Sequence, residues 1–196
     1  MTFEISARQI LRKKVRQLRN SLTPEQQYLA AQILCQKLCN HPEIKTAQHI
    51  SLFLSFDGEV DTHPLIQALW QQNKSLYLPV LHPFSPGHLL FLHYTPETPM
   101  ISHPFGIQEP RLNVQSVLPV SQLDVIITPL VAFDTQGNRL GMGGGYYDRT
   151  LKHWRNNNGS YPIGIAHDCQ QVDALPYEDW DIPLPEIITP SRDWRW

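Results

Sequence analysis

Four of the chain's ten glycines fall within the five positions Gly141 to Gly145, inside the run Arg139-Leu-Gly-Met-Gly-Gly-Gly-Tyr-Tyr-Asp148. Glycine has no Cβ, so a cluster of them lets backbone N–H groups approach a ligand closely and converge on an anion. Asp148 follows at an expected helix start, where a carboxylate suits a cation held against phosphates. These types at this spacing point to a nucleotide or another phosphorylated ligand. The common phosphate loops are excluded. No glycine is followed by lysine and a hydroxyl residue, as a Walker loop needs, and from Gly141 the sixth position of G-x-G-x-x-G is Tyr146. A glycine turn without a ligand is the plainer alternative, but consecutive glycines lose much conformational entropy on folding.

A second source of positive charge lies near the N-terminus. At about 100° per residue, Arg8, Arg12, Arg16 and Arg19 share a stripe about 80° wide beside the apolar positions Leu11, Val15, Leu18 and Leu22. Guanidinium is planar and permanently charged, so such a stripe suits several phosphate oxygens. Taken alone it reads first as a solvated basic face, and it gains a ligand role only if its start docks on the glycine loop. In Ser55-Phe-Asp-Gly-Glu-Val-Asp-Thr62, Glu59 is placed to accept hydrogen bonds from a nitrogen-rich ring, and Asp61 or Thr62 to cap a helix. Cys35, Cys39 and His41 lack a further ligand pair for zinc and read as a buried helix face. Tyr177-Glu-Asp-Trp-Asp181 gathers three acids, one of which could join Asp148 at a metal or simply form a polar turn.

Composition narrows the class. With 196 residues, 41% hydrophobic and 17% charged, the chain suits one globular domain over 1–196. A formal charge of −2 gives no general attraction to nucleic acid or anionic membranes. Three scattered cysteines fit reduced thiols, and no span or signal pattern is seen, so a soluble cytoplasmic monomer is expected.

The elements that must position these residues follow from periodicity and punctuation. Helices are expected over 6–20, from Thr23-Pro24 to about Cys39, from Asp61-Thr-His-Pro64 to about Gln72, and from Tyr146 to Trp154. Strands are expected at 49–54, 75–79, 87–94, 123–128, 161–166 and 186–189. The strand–helix–strand spacing from 49 to 79 is a βαβ unit, so the expected fold is a three-layer α/β sandwich, its sheet mostly parallel with helices on both faces. Such sheets bind ligands in loops beyond the carboxyl ends of their strands, where the glycine loop lies. Trp194 and Trp196 should pack the C-terminus down.

Taken together, Leu-Arg12, Leu54 to Glu59, Phe105-Gly-Ile-Gln-Glu-Pro110, Arg139 to Asp148, and Asp181 resemble 5-formyltetrahydrofolate cyclo-ligases in order and type over nearly the whole chain. That family is also called 5,10-methenyltetrahydrofolate synthetase. The resemblance implies an ATP- and Mg²⁺-dependent enzyme that phosphorylates the N5-formyl oxygen of 5-formyltetrahydrofolate, so that N10 attacks and phosphate leaves. It implies that Arg8, Arg12 and the run Arg139, Leu140, Gly141, Met142, Gly143, Gly144, Gly145, Tyr146 and Tyr147 bind ATP. It implies that Leu54, Glu59 and Met142 through Tyr146 hold the folate, that Arg139 and Tyr146 serve the chemistry, and that Asp148 and Asp181 hold Mg²⁺, with Asp179 a rival for the second place. Arg8 and Gly144 stand where many relatives carry lysine. If the loop lysine stabilises the transferring phosphoryl group, that duty passes here to Arg139, an N-terminal arginine or Mg²⁺. Two other classes remain open on the residues alone. A sugar-phosphate isomerase or acyl-transferase-like enzyme would need no ATP, and a binding module would show no turnover.

Overall fold

The computed structural model describes residues 6–102, 108–155 and 159–196. Two capped helices open the chain. Ser6 and Gln9 form a capping box at α1 (Ala7–Asn20), and Thr23 with Gln26 does the same at α2 (Pro24–Asn40), with Pro24 in the first turn. The short α3 (Pro42–Thr46) leads into β1 (His49–Ser51) and then α4 (His63–Gln71). Thr62 holds the N-cap position of α4, but its hydroxyl donates to the Phe53 carbonyl, and the Asp61 carboxylate accepts from the His63 N–H instead. There follow β2 (Ser75–Leu81), β3 (Leu89–Tyr94), β4 (Met100–Ser102), β5 (Gln108–Pro110), β6 (Val117–Leu118) and β7 (Val125–Thr128). A tight hairpin of β8 (Ala132–Phe133) and β9 (Arg139–Leu140) precedes the glycine loop and α5 (Tyr146–Leu151). The chain ends through β10 (Tyr161–Ile165), β11 (Glu186–Ile188) and β12 (Asp193–Arg195).

The main sheet runs β12-β11-β10-β7-β1-β2-β3-β6. Its centre, β11 to β2, is parallel, and β12, β3 and β6 pair antiparallel at the two sides. Residue alternation sets the layers. Leu76, Leu78, Val125 and Ile127 face a core closed by Leu34 and Leu38 of α2 and Ile66 and Leu69 of α4. Tyr77, Ile126 and Ile187 face the other way, onto Phe133, Leu184 and Leu151 of α5. The expected three layers are therefore present, with the second face covered by one short helix, the β8–β9 hairpin and loops. α5 stops at Leu151, earlier than the apolar pattern to Trp154 suggested. β12 has no strand-length apolar pattern, and forms because Trp194 stacks its edge against Phe133 at 5.6 Å between ring centroids.

From β1 the chain builds outward through β2, β3 and β6, then returns to the other side of β1 with β7 and continues through β10 and β11. The strand order thus reverses between β1 and β7, and the loops leaving these two strands diverge around a crevice. Helix α1 lies over that crevice. Val15 packs with Val131, Ala132 and Leu140, so α1 is fastened to the β8–β9 hairpin. Leu18, placed on the apolar stripe by spacing, is 43% exposed, and Arg19 beside it is fully buried. Among the described residues, no helix is long and apolar enough to cross a membrane.

Candidate functional site

The crevice holds a cavity of about 890 Å³, within the size range of small-molecule sites. Of the residues the resemblance implies for ATP, the folate and the two metal carboxylates, all line it except Leu140, which is buried beneath the loop. Asp181 is on its wall and Asp179 is not. Phe105-Gly-Ile107 lies outside the described residues, but Gln108, Glu109 and Pro110 that follow it reach the cavity.

One wall is the exit of β1. There Asp57 and Gly58 take left-handed backbone angles, φ 51° and 75°. A Cβ on Gly58 would stand 2.7 Å from Asn20 Oδ1, so the close approach of α1 requires glycine here. The Asp57 carboxylate accepts from Arg16 Nε at 2.6 Å and Arg19 Nη2 at 3.0 Å, and the Asp57 carbonyl accepts from Arg19 Nε at 2.8 Å. Arg16 and Arg19 are therefore struts for this turn. The sequence stripe divides in two, and only Arg8 and Arg12 reach the cavity. The turn delivers Glu59, whose Oε2 accepts from the Phe56 N–H at 3.3 Å and whose Oε1 lies 3.8 Å from Arg19. Burial pushes the Glu59 carboxyl up to about 7, against the opposing pull of the Arg19 charge. Phe53, Leu54, Phe56, Leu78, Leu81 and Leu89 line the same cavity, an apolar side to which Glu59 brings a buried carboxyl.

The opposite wall is the glycine loop. Gly143 and Gly145 have φ of 105° and 66°, which only glycine adopts without strain. No amide N–H from Gly141 to Gly145 finds a protein acceptor among the described residues. Buried or not, such groups require water or a ligand. Arg12 Nε donates to the Gly141 carbonyl at 2.8 Å, so the start of α1 does dock on the loop. Arg139 is buried and donates from Nη2 to Asp148 at 2.7 Å, while its Nε has no partner. Burial draws its pKa below the ordinary arginine value, and the charges of Asp148 and Asp181 oppose that only in part. Tyr147 feels the charges of both this arginine and Glu59. Its hydroxyl is buried without a partner, and burial and the Glu59 charge hold it protonated.

Between the walls, Arg8 forks onto both oxygens of Asp181, at 2.5 and 2.9 Å, and also donates to the Pro176 carbonyl. Asp181 accepts from the Glu178 N–H, and Asp148 from the Ile182 N–H. The two carboxylates are thus tied to one segment, with arginine answering each. Among the described residues no three acids, histidines or cysteines gather as a metal cage.

This pairing of an apolar pocket holding a carboxyl with an arginine-lined glycine loop has relatives. The family model for the 5-formyltetrahydrofolate cyclo-ligase family matches residues 4–190. The chain belongs to the 5-formyltetrahydrofolate cyclo-ligase family. It is 54% identical over 182 residues to the 5-formyltetrahydrofolate cyclo-ligase of Escherichia coli (strain K12), covering 93% of this chain and 100% of that protein. The Haemophilus influenzae cyclo-ligase is 55% identical over 181 residues, covering 92% of this chain and 96% of its own. The solved structure of the Aquifex aeolicus 5,10-methenyltetrahydrofolate synthetase superposes with a TM-score of 0.82 at 31% identity, covering 97% of this chain and 93% of that one.

Phe53, Phe56, Leu78, Leu81, Leu89 and Trp180 also line the cavity and were not singled out by sequence reading. All but Trp180 sit on or beside strands, and only the strand order brings them together. Trp180 lies inside the Tyr177–Asp181 acidic run that drew notice for its carboxylates. Cys35 and Cys39 pack against the core as expected of a helix face, and His41 bonds Glu186 at 2.9 Å.

Proposed function

We propose that this chain converts 5-formyltetrahydrofolate to 5,10-methenyltetrahydrofolate with consumption of ATP. One observation carries the reading: a single cavity sets an apolar pocket with a buried carboxyl beside a loop of unpaired amides flanked by Arg8, Arg12 and Arg139. The first half suits a flat, nitrogen-rich ring, and the second suits a polyphosphate.

A formamide oxygen is a poor leaving group. Phosphorylation solves this. The formyl oxygen attacks the γ-phosphorus and ADP departs with the electrons of the broken P–O bond. N10 of the same folate then attacks the former formyl carbon, inorganic phosphate leaves, and the N10 proton is released. The chain supplies position and charge for this sequence, with no covalent nucleophile. Glu59 holds the pterin nitrogens, and because its carboxyl titrates near 7 it can accept or donate there. Met142 through Tyr146 lie against the formyl group, and Arg139, Arg12 and Arg8 face the phosphates.

Asp148 and Asp181 fit Mg²⁺ as hard oxygen donors, and two carboxylates completed by phosphate oxygens and water are the usual shell of that ion. Bound there, Mg²⁺ would neutralise charge on the transferred phosphoryl group. In the free protein Arg8 and Asp181 satisfy each other. Nucleotide and metal would bind by partner exchange, phosphate taking Arg8 and the cation taking Asp181. The test is spectroscopic. Purified protein with 5-formyltetrahydrofolate, ATP and Mg²⁺ should give the near-ultraviolet absorbance of the methenyl product, and leaving out ATP should abolish it. No ATP-dependent rise would end the proposal.

A further inference from the structure

Arg149 does not line the cavity and is exposed, yet its guanidinium bridges glycine backbone from two segments. Its Nε donates to the Gly87 carbonyl, at the tip of the β2–β3 hairpin, and its Nη2 donates to the Gly144 carbonyl in the glycine loop. The same group lies over the Tyr146 ring, 5.6 Å from its centroid. Gly87 and Gly145 both have left-handed φ, 85° and 66°, and a Cβ on either would come within 2.9 Å of this guanidinium. A Cβ on Gly144 would meet the Tyr146 ring at 2.5 Å. Glycines in two distant segments are thus bare toward one side chain.

The tie joins two walls of the site. The hairpin carries Leu81 and Leu89 to the apolar half of the cavity, and the loop carries Gly144, Gly145 and Tyr146 to its centre. The loop's other end is held separately, by Arg12 at the Gly141 carbonyl. Losing Arg149 would therefore free the half of the loop that faces the hairpin and leave the half beside Arg12 in place.

We propose that Arg149 is a positioning residue, which fixes the Gly144–Tyr146 end of the glycine loop against the β2–β3 hairpin and so sets the width of the folate pocket without touching either substrate. Two parallel carbonyl contacts need the planar fork, because an ammonium satisfies one acceptor at a time along one stem. The kinetic consequence rests on the function proposed above. The structural consequence does not.

Two measurements on Arg149→Ala and Arg149→Lys test this and keep the two readings apart. Hydrogen exchange should rise at the bonded amides of His82, Phe84, Ser85 and His88 in both variants while β1 and β7 are unchanged. Unchanged exchange at those amides overturns the inference whatever the protein catalyses. In steady-state assays the KM for 5-formyltetrahydrofolate should rise about tenfold in Arg149→Ala, with the KM for ATP moving less than about twofold and the melting temperature nearly constant. Lysine should restore only part of the loss. An equal rise in both KM values, full restoration by lysine, or a fall in melting temperature with KM unchanged would each overturn it. A parent protein with no turnover would sink the proposed function alone, since the exchange result stands without it.

Discussion

The two walls of the cavity are built on opposite terms. At the β1 exit every strong group has a partner: Asp57 is gripped by Arg16, Arg19 and Asn20, and Glu59 is held by Phe56 and Arg19. At the glycine loop the amides are unpaired, Arg139 Nε and Tyr147 Oη are orphaned, and side chains tie the loop only through its carbonyls. The first wall is complete without a ligand, and the second is finished by one. A rigid ring needs a preformed slot, whereas a polyphosphate arrives with its own acceptors for open donors. The difference explains why a motif search finds the loop easily and the slot poorly.

The comparison breaks most visibly at Arg139. Replacing it with glutamine removes the buried charge proposed to face the phosphates and leaves Asp148 without its arginine partner. Turnover should fall about a thousandfold, with 5-formyltetrahydrofolate affinity nearly unchanged. A fall in folate affinity instead would mean that the two walls do not divide the ligands. Arg19→Met makes the converse test on the finished wall. It strips a fully buried guanidinium from Asp57 and Glu59 and should cost about 3 kcal/mol of stability, read as a lowered denaturant midpoint. Arg12→Gln, on the open wall, should leave that midpoint almost unmoved and weaken ATP binding.

Arg19 also marks where sequence reading stops. On a helical wheel it belongs with Arg8 and Arg12, and spacing alone gives all of them one role, a solvated basic face or a phosphate-binding stripe. The β1 turn, 38 positions away, claims it because Asp57 offers both a carboxylate and a carbonyl at its tip. Leu18 is correspondingly turned outward. Local signals did resolve what is local: the Thr23-Pro24 start, the apolar β7 and the glycine loop. The mixed sheet was only partly legible, because β3, β6 and β12 owe their antiparallel pairing to neighbours and not to their own pattern. The apolar slot proposed for the folate was legible only as Leu54 and Glu59. Leu78, Leu81 and Leu89 are ordinary strand residues until the hairpin folds over the crevice.

A finer probe of the open wall is the pair that stands in for ligands. Arg8→Gln should release Asp181 from its fork, so Mg²⁺ alone, titrated by calorimetry, should bind about tenfold more tightly than to the parent. ATP without metal should bind Asp181→Asn more tightly by a similar factor, because Arg8 is then free. If neither affinity moves, the ion pair does not compete with ligands, and Asp181 is not where the cation binds.

The smallest expected signal comes from two buried groups of opposite sense, Glu59 on the finished wall and His167 just past the end of β10. The Glu59 carboxyl stands near 7, well above its ordinary value of 4.5, so between those pH values the folded state holds the proton that the unfolded state has released. Its contribution to stability is full below 4.5 and declines as pH rises through 7, by up to about 1.4 kcal/mol per pH unit. Burial, aided by the Arg19 charge, holds His167 down at about 4, below its usual 6.5, so there the unfolded state takes up the proton first and stability declines as pH falls from 6.5 to 4. The two slopes have opposite sign and overlap from 4.5 to 6.5. Unfolding free energy of the parent should be nearly flat across that window, changing by less than about 1 kcal/mol. Glu59→Gln removes one partner, and the variant should then gain stability steadily as pH rises from 4.5 to 6.5, measured by urea unfolding at fixed ionic strength. A parent curve that already rises through the window would mean Glu59 is ionised in the folded state, and the slot would then present the pterin with a fixed negative charge instead of a titrating carboxyl.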